Sequence, residues 1–285
     1  MAGFTYGHYS ASGILNGTDN VSKEQVWEKY LAAPQSLGID FYTFSLVRGL
    51  TDNLSVVALI PYSVRSLTVE TRARQVVTMN TDGLGDVQVG GIYRIHQGPK
   101  DLWTFYGGLS APTGSINERG NLPGKIDVKL PYPVQLGTGT VDLYPTLTYM
   151  GKCESLLWGA QASGIIHLGT NWDGYRWGDS YELSSWVGYQ FFKGLAGSLR
   201  LDWQSSGQIS GADPELNPLQ APATDPNDFG GDRLLILPGL TWSITNGPLK
   251  GNSLVLEGGV PVYQWLTGPQ LKMSYLLIAG WRWVF

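Results

Sequence analysis

Stretches in which apolar and polar residues alternate with a period of two follow one another along this chain, and the links between them are by turns short and long. The stretches fall at 3–12, 38–49, 54–66, 84–97, 102–113, 139–151, 156–168, 179–192, 195–206, 232–245, 252–264 and 271–285. Short links centre on Asp52-Asn53, Gly98-Pro99-Lys100, Cys153-Glu154, Lys193-Gly194 and Asn246-Gly247-Pro248. Long links cover 13–37, 67–83, 114–138, 169–178, 207–231 and, the shortest of them, 265–270. Strict alternation of link length places all the tight turns, and both termini, at one end of the array. An even strand number with tight turns at one rim and longer loops at the other is the pattern of a bacterial outer-membrane barrel. The expected fold is therefore all-β: a twelve-stranded antiparallel transmembrane β-barrel, a single domain over 1–285, with short periplasmic turns and longer extracellular loops.

Composition decides which solvent the sheet meets. Charged residues make up 15% of the chain, against about 25% in soluble proteins. The longest apolar runs reach only about seven residues, where a spanning helix needs about 20. The net charge of −4 offers no footprint for nucleic acid. Met1 opens directly onto "AGFTYGHYS" with no secretory signal, as a mature chain would, and the single Cys153 excludes an internal disulfide framework.

The last stretch, "YLLIAGWRWVF", puts Tyr275, Leu277, Ala279, Trp281, Trp283 and Phe285 on one face of a strand, because successive side chains point to opposite sides. A weak repeat points the same way. Asp86, Asp142 and Glu182 each precede a tyrosine (Tyr93, Tyr149, Tyr189) by seven residues. The odd offset puts acid and tyrosine on opposite faces, with the tyrosines outside near the tight turns. Tyr93, Tyr149, Tyr189, Trp281, Trp283 and Phe285 would form an aromatic girdle at a lipid–water boundary.

Parity yields the lumen-lining candidates Asp40, Arg65, Asp86, Arg94, Asp142, Glu182, Arg200, Asp202, Glu257 and Arg282, with Tyr42, Tyr106, Tyr144, Trp186 and Tyr263 among them. A two-residue turn at Asp52-Asn53 would set Asp40 opposite Arg65, and Glu257 would approach Arg282 on the neighbouring strand. If Lys193-Gly194 closes a hairpin, Val187 faces Leu199 on one side and Trp186 faces Arg200 on the other. Pro61, Pro112, Pro145, Pro238 and Pro261 fall inside expected strands, where they count against a closed barrel or require bulges. Pro61, Pro112 and Pro261 lie near the loop ends, where rim bulges are expected, and Pro145 and Pro238 lie deeper.

In the first long loop, Ser22 and Gln25 make a capping box, and Val26, Trp27, Tyr30 and Leu31 form the apolar face of a short helix at about 23–32, with Pro34 following. It would cover the barrel mouth as a lid or pack against neighbouring loops. The loop "SGADPELNPLQAPATDPNDFGGD" (210–232) carries Asp213, Glu215, Asp225, Asp228 and Asp232 without a Lys or Arg. Its spacing matches no calcium loop, and it reads as a solvated acidic loop.

The phrases "DGLGDVQVGGIYRI", "GLSAPTGSINERG", "LPYPVQLGTGTVDLYPTLTYMG", "WGAQASGIIHLGTNWDGYRWGDSYELS", "SGADPELNP" and "GGVPVYQWLTGPQL" resemble an outer-membrane family associated with transport and with the meta-pathway of phenol degradation. The likeness covers most of the chain and implies a barrel that passes solutes. Members with methionine-rich early strands suggest metal handling. Here those strands read "IDFYTFSLVRGL" and "LSVVALIPY", without methionine, so that role is not carried over. The closing aromatic-Val-Phe resembles the signal read by the outer-membrane assembly machinery.

His8, His96 and His167 lie on separate strands with no ligand spacing, so no metal and no cofactor is expected. No G-x-S-x-G phrase occurs, and "GLGDVQVGG" does not run from strand to helix, so no catalytic residue and no phosphate loop is assigned. The expected function is a narrow outer-membrane channel or transporter for small, aromatic or hydrophobic solutes, not an enzyme. Its partners would be the lipid bilayer, the assembly machinery and a small-molecule solute. A closed structural or docking barrel is one alternative and an outer-membrane hydrolase the second.

Overall fold

The computed structural model describes all 285 residues. In chain order the elements are β1 (Ala2–Gly17), β2 (Asp19–Val21), α1 (Lys23–Lys29), β3 (Ala32–Gly49), β4 (Leu54–Thr71), β5 (Val76–Leu84), β6 (Gln88–Gln97), β7 (Asp101–Ser110), β8 (Arg119–Leu122) and β9 (Lys125–Lys129). There follow β10 (Val141–Cys153), β11 (Leu156–Leu168), β12 (Tyr175–Arg176), β13 (Ser180–Phe192), β14 (Leu195–Ser206), β15 (Ser210–Gly211), β16 (Gly231–Ser243) and β17 (Asn252–Trp283). The wall runs β1-β3-β4-β6-β7-β10-β11-β13-β14-β16-β17, antiparallel throughout, and β17 pairs back onto β1 to close it. Closure leaves no raw sheet edge in the ring. β2 and β5 hang on the sheet outside that ring, against β1 and β4, and β8–β9 and β12–β15 are small ribbons within the long loops.

The ring has eleven strands rather than the expected twelve, because 252–264 and 271–285 are not separated by a loop. The extended backbone runs unbroken for 32 residues as β17. Its first part pairs with β16 as far as Leu266, and its last part pairs with β1. The chain folds back at Gly268, where φ is +74°, a left-handed value that costs glycine little. The two arms are stitched by Gln264, whose Nε2 donates to the Met273 carbonyl at 3.1 Å while the Met273 amide donates to its Oε1 at 2.8 Å.

The β13–β14 hairpin keeps the expected register, with Val187 opposite Leu199 and Trp186 opposite Arg200. The β3–β4 hairpin does not. Its connection takes Leu50–Asn53, with the Asn53 and Leu54 amides bonding to Thr51 Oγ1, so Gly49 pairs with Ser55 and Asp40 pairs with Val64. A one-residue slip turns a side chain to the other face of the sheet. Asp40 and Tyr42 therefore lie on the outer wall, not in the lumen, while Arg65 points inward opposite Ile39.

Three prolines sit where the ladder is interrupted. Pro61 marks the point at which β4 changes partner from β6 to β5. Pro145 has no partner on β11, and Pro238 has none on β17. Each bonds on one side only, which suits a residue without an amide hydrogen. The outer face exposes Leu183, Val187, Leu199, Leu201, Leu240, Leu256 and Leu277. Inside, Leu235 and Leu237 are fully buried against Met273, Tyr9 and Leu276.

Candidate functional site: the lumen and its loop cap

The long loops do not stand out into solvent. Helix α1 starts at the Ser22–Gln25 capping box and stops at Tyr30, whose extended backbone ends it after Lys29, short of the expected Leu31 and Ala32. Val26, Trp27 and Tyr30 are buried with Ile14 and Ala33 at the top of the wall. Trp27 Nε1 donates to the Glu70 carbonyl at 3.1 Å, and the Glu70 carboxylate receives Lys23 Nζ at 2.5 Å. The helix is thereby tied to the head of β4.

Across the mouth, Tyr132, Tyr175, Ile209 and Leu216 form an apolar knot with Trp177 and Phe229 against it. Tyr132 meets Tyr175 edge-on at 4.9 Å and Phe229 at 5.6 Å, geometries that favour aromatic pairs. The residues come from three separate loops, so the knot joins them into one cap.

The acidic loop after Ser210 is part of this cap and is not the solvated loop expected. Lys129, with its side chain 1% exposed, sits 2.5 Å from Asp213 and 2.6 Å from Asp173. Burial works against its charge, and the two carboxylates more than offset that, leaving the Lys129 pKa raised. The Tyr30 hydroxyl lies between Asp225, at 2.9 Å, and Asp228, sharing its one proton with the two carboxylates, and Lys29 pairs with Asp225 at 2.9 Å. Burial first, and then those two carboxylates, pushes the Tyr30 phenol up. Burial also opposes ionisation of Asp225, but hydrogen bonds from Lys29, the Asn227 amide and Tyr30 outweigh it and hold its pKa below the ordinary value. At Asp228 burial wins, and its pKa is raised.

Where cap meets wall, Asp86 accepts from the amides of Gly114 at 2.9 Å and Thr138 at 2.8 Å. Asp142 is fully buried, accepting from Thr140 Oγ1 at 2.6 Å and lying 2.8 Å from His167 Nδ1. Both acids anchor loop ends to strands. Lower down the interior face, Arg200 Nη2 donates to Glu257 at 2.8 Å across the intervening strand, where Gly239 has no side chain to obstruct them. Glu257 is thus paired with Arg200 and not with Arg282. The reason is height: Glu257 sits level with Ile278, and Arg282 lies lower, opposite Gly3. Glu182 and Asp202 face inward near Arg200, and Asp202 accepts from Gln204 at 2.9 Å. Arg94 lies on the interior face toward the tight-turn rim. Tyr263, expected inside, is turned outward by a bulge in its own strand, where Val262 is the extra residue opposite the Leu234–Leu235 step of β16.

The aromatic set lies on the outer face at the tight-turn rim. Tyr93, Tyr189, Trp281, Trp283 and Phe285 are exposed, and Tyr149 packs against Trp103 with ring centroids 4.9 Å apart and planes tilted by 46°. A second outer belt, which sequence reading missed, comprises Tyr181, Trp203, Tyr263, Trp265 and Tyr275, nearer the loops. In this belt Asp40 accepts from Tyr6 Oη at 2.7 Å and lies 2.8 Å from His8 Nδ1. The signal for the second belt was present as outward aromatics well above the tight turns, but the bulge hid Tyr263.

Two cavities bear on the interior of the barrel. One of about 460 Å³ is lined by polar groups including Tyr106, Tyr144, Gln161, Ser163, Glu182 and Arg233. The other, about 240 Å³, lies under the cap. The lumen is therefore neither wide open nor filled by apolar side chains.

A family model described as "Putative MetA-pathway of phenol degradation" matches residues 36–264. Among solved structures, the outer membrane channel from Pseudomonas putida F1 is similar over 100% of this chain and 95% of its own, with a TM-score of 0.69 at 15% identity. The transport unit of the autotransporter AIDA-I from Escherichia coli aligns over 100% of this chain and 90% of its own, with a TM-score of 0.52 at 9% identity. At such identities the likeness is one of fold. No curated protein matches the chain.

Proposed function

This chain belongs to that phenol-degradation family, and on that footing we propose that it is a bacterial outer-membrane channel for small solutes, gated by its loop cap, and not an enzyme. The observation that carries the reading is the contrast across one wall. The outer face is a band of leucine and valine between two aromatic belts, while the inner face holds Arg200, Glu257, Glu182, Asp202 and solvent-sized space. Apolar-out, polar-in strands with aromatic girdles suit a lipid exterior and a wet interior. The two arms of β17 would each cross the bilayer, giving twelve spans, with the tight turns on the periplasmic side and the cap outside. Arg65, Arg94, Glu182, Arg200, Asp202, Glu257 and Arg282 would face the conducting path, and Asp86 and Asp142 would fix the loops at its mouth. Tyr93, Tyr149, Tyr189, Trp281, Trp283 and Phe285 would ring the periplasmic interface and present the closing aromatic to the assembly machinery.

Purified protein in a planar bilayer tests this. Small discrete conductances are expected, with Glu257→Gln shifting selectivity toward anions and Arg282→Ala shifting it toward cations. The buried cap favours a second reading, a closed docking barrel. That reading wins if neither the wild type nor a variant with its cap loosened conducts.

A further inference from the structure

The cavity beneath the cap holds a combination that the channel reading alone does not use. Its wall carries two arginines, Arg65 and Arg233, and neither has a carboxylate within ion-pair distance. Arg65 donates from Nε to Ser63 Oγ and from Nη1 to the Pro133 carbonyl, both at 3.2 Å, which leaves its other amine uncommitted. Arg233 Nε is buried with no hydrogen-bond partner, and so is Trp177 Nε1. A buried donor without an acceptor is costly, more so when charged, so these two unsatisfied groups, with the free amine of Arg65 beside them, call for an acceptor that enters the space. The only acid on the wall, Asp228, already receives the Tyr30 hydroxyl. Apart from Gln270, whose amide nitrogen is bonded to the Gly230 and Thr267 carbonyls, the remaining surface is aromatic and aliphatic, with Tyr9, Trp177 and Phe229 foremost.

We propose that this cavity is a binding site for a small aromatic carboxylate, its anionic end held by Arg65 and Arg233 and its ring against Trp177 and Phe229. The proposal rests on the channel reading and names the class of solute that the channel would take. Charge and shape both contribute. Guanidinium groups match carboxylate geometry and form the stronger, charge-assisted hydrogen bonds. The volume of about 240 Å³ is below the roughly 300–1,000 Å³ of sites for drug-sized ligands, which fits one ring and an acid group. Arg233 also lines the larger polar cavity, so it stands between the two compartments and would pass an anion from one to the other.

The experiment measures binding to the detergent-solubilised full chain by tryptophan fluorescence and calorimetry, independently of conduction. The probes are benzoate, benzyl alcohol, which lacks the charge, and acetate, which lacks the ring. Saturable benzoate binding is expected, at least tenfold tighter than either control. Arg233→Met should weaken it tenfold or more, and Arg65→Met likewise, with the variants' retention of heat-resistant gel migration showing that the barrel is intact. If Arg233→Met does not fold, Arg233→Gln serves in its place. Benzoate and benzyl alcohol binding alike, or folded arginine variants binding benzoate like the wild type, would overturn the site. Conduction without benzoate binding leaves the channel standing and removes the site. Binding without conduction does the reverse.

Discussion

Lys129 shows how one residue can decide the state of the mouth. Its ammonium is enclosed between Asp213 and Asp173, and Asp213 is as buried as the lysine. Removing one partner from a buried ion pair costs about 3–5 kcal/mol, because the other charge is left stranded. Lys129→Met should therefore release the acidic loop, seen as faster proteolysis after Ser210 and larger bilayer conductance. An unchanged cleavage rate would mean that the aromatic knot holds the cap without it. Acid should loosen the same structure. Asp225 and Asp179 both have pKa values lowered by hydrogen bonds that outweigh burial. A depressed carboxylate contributes stability that is present above the ordinary aspartate pKa of about 3.9 and is lost as pH falls through the lower, native value. Asp228 has the opposite sign, since its raised pKa favours the closed cap at low pH and weakens it as pH rises. The protection of loop amides, that is their exchange relative to the intrinsic rate at each pH, should therefore fall below about pH 4, and Asp225→Asn should remove part of that dependence. Little of this was legible beforehand. The 210–232 loop itself holds no Lys or Arg, and the nearest cation in sequence, Arg233, pairs with none of its acids; the partners of Asp225 and Asp213, Lys29 and Lys129, arrive only through the fold.

Strands were more legible than their registers. Alternation located the wall segments, because a strand between lipid and water must alternate to satisfy both, but β1, β3 and β4 run five or six residues further toward the loops than expected. Register depends on what each turn does. At Lys193-Gly194 a left-handed glycine with φ +95° fixes the turn, and the expected pairs are the observed ones. At the β3–β4 turn, Thr51 draws an extra residue into the connection, and Asp40 changes face. At Tyr263 a bulge does the same, and no spacing rule announces a bulge. Where register is secure, the consequence of a substitution follows. Leu201 pairs with Ser185 and Ile236 in mid-wall and is exposed on the outer face. In a bilayer, Leu201→Arg should destabilise by roughly 2–4 kcal/mol near the midplane, read as loss of the heat-resistant band on a semi-native gel. Full retention of that band would remove lipid from the outer face.

For the whole molecule, the side on which each rim lies is fixed by one thiol. Cys153 ends β10 at a tight turn, exposed and free. An impermeant maleimide should label it in spheroplast or periplasmic preparations and leave it untouched on intact cells; labelling of intact cells would invert the topology. The ring is closed by pairs such as Ala2 with Trp283, residues separated by nearly the entire chain. Contacts of that span are the slowest to form, since the entropy of closing the loop must be met before any bond rewards it. The seam between β1 and β17 is therefore the last stitch of assembly, and until it is made both of its edges are open to any other strand. Once made, it has no fraying end inside the wall, so opening requires many bonds to break together. The barrel should consequently behave as a latch in time: reluctant to form unaided, and far slower to come apart than its modest interior packing would suggest.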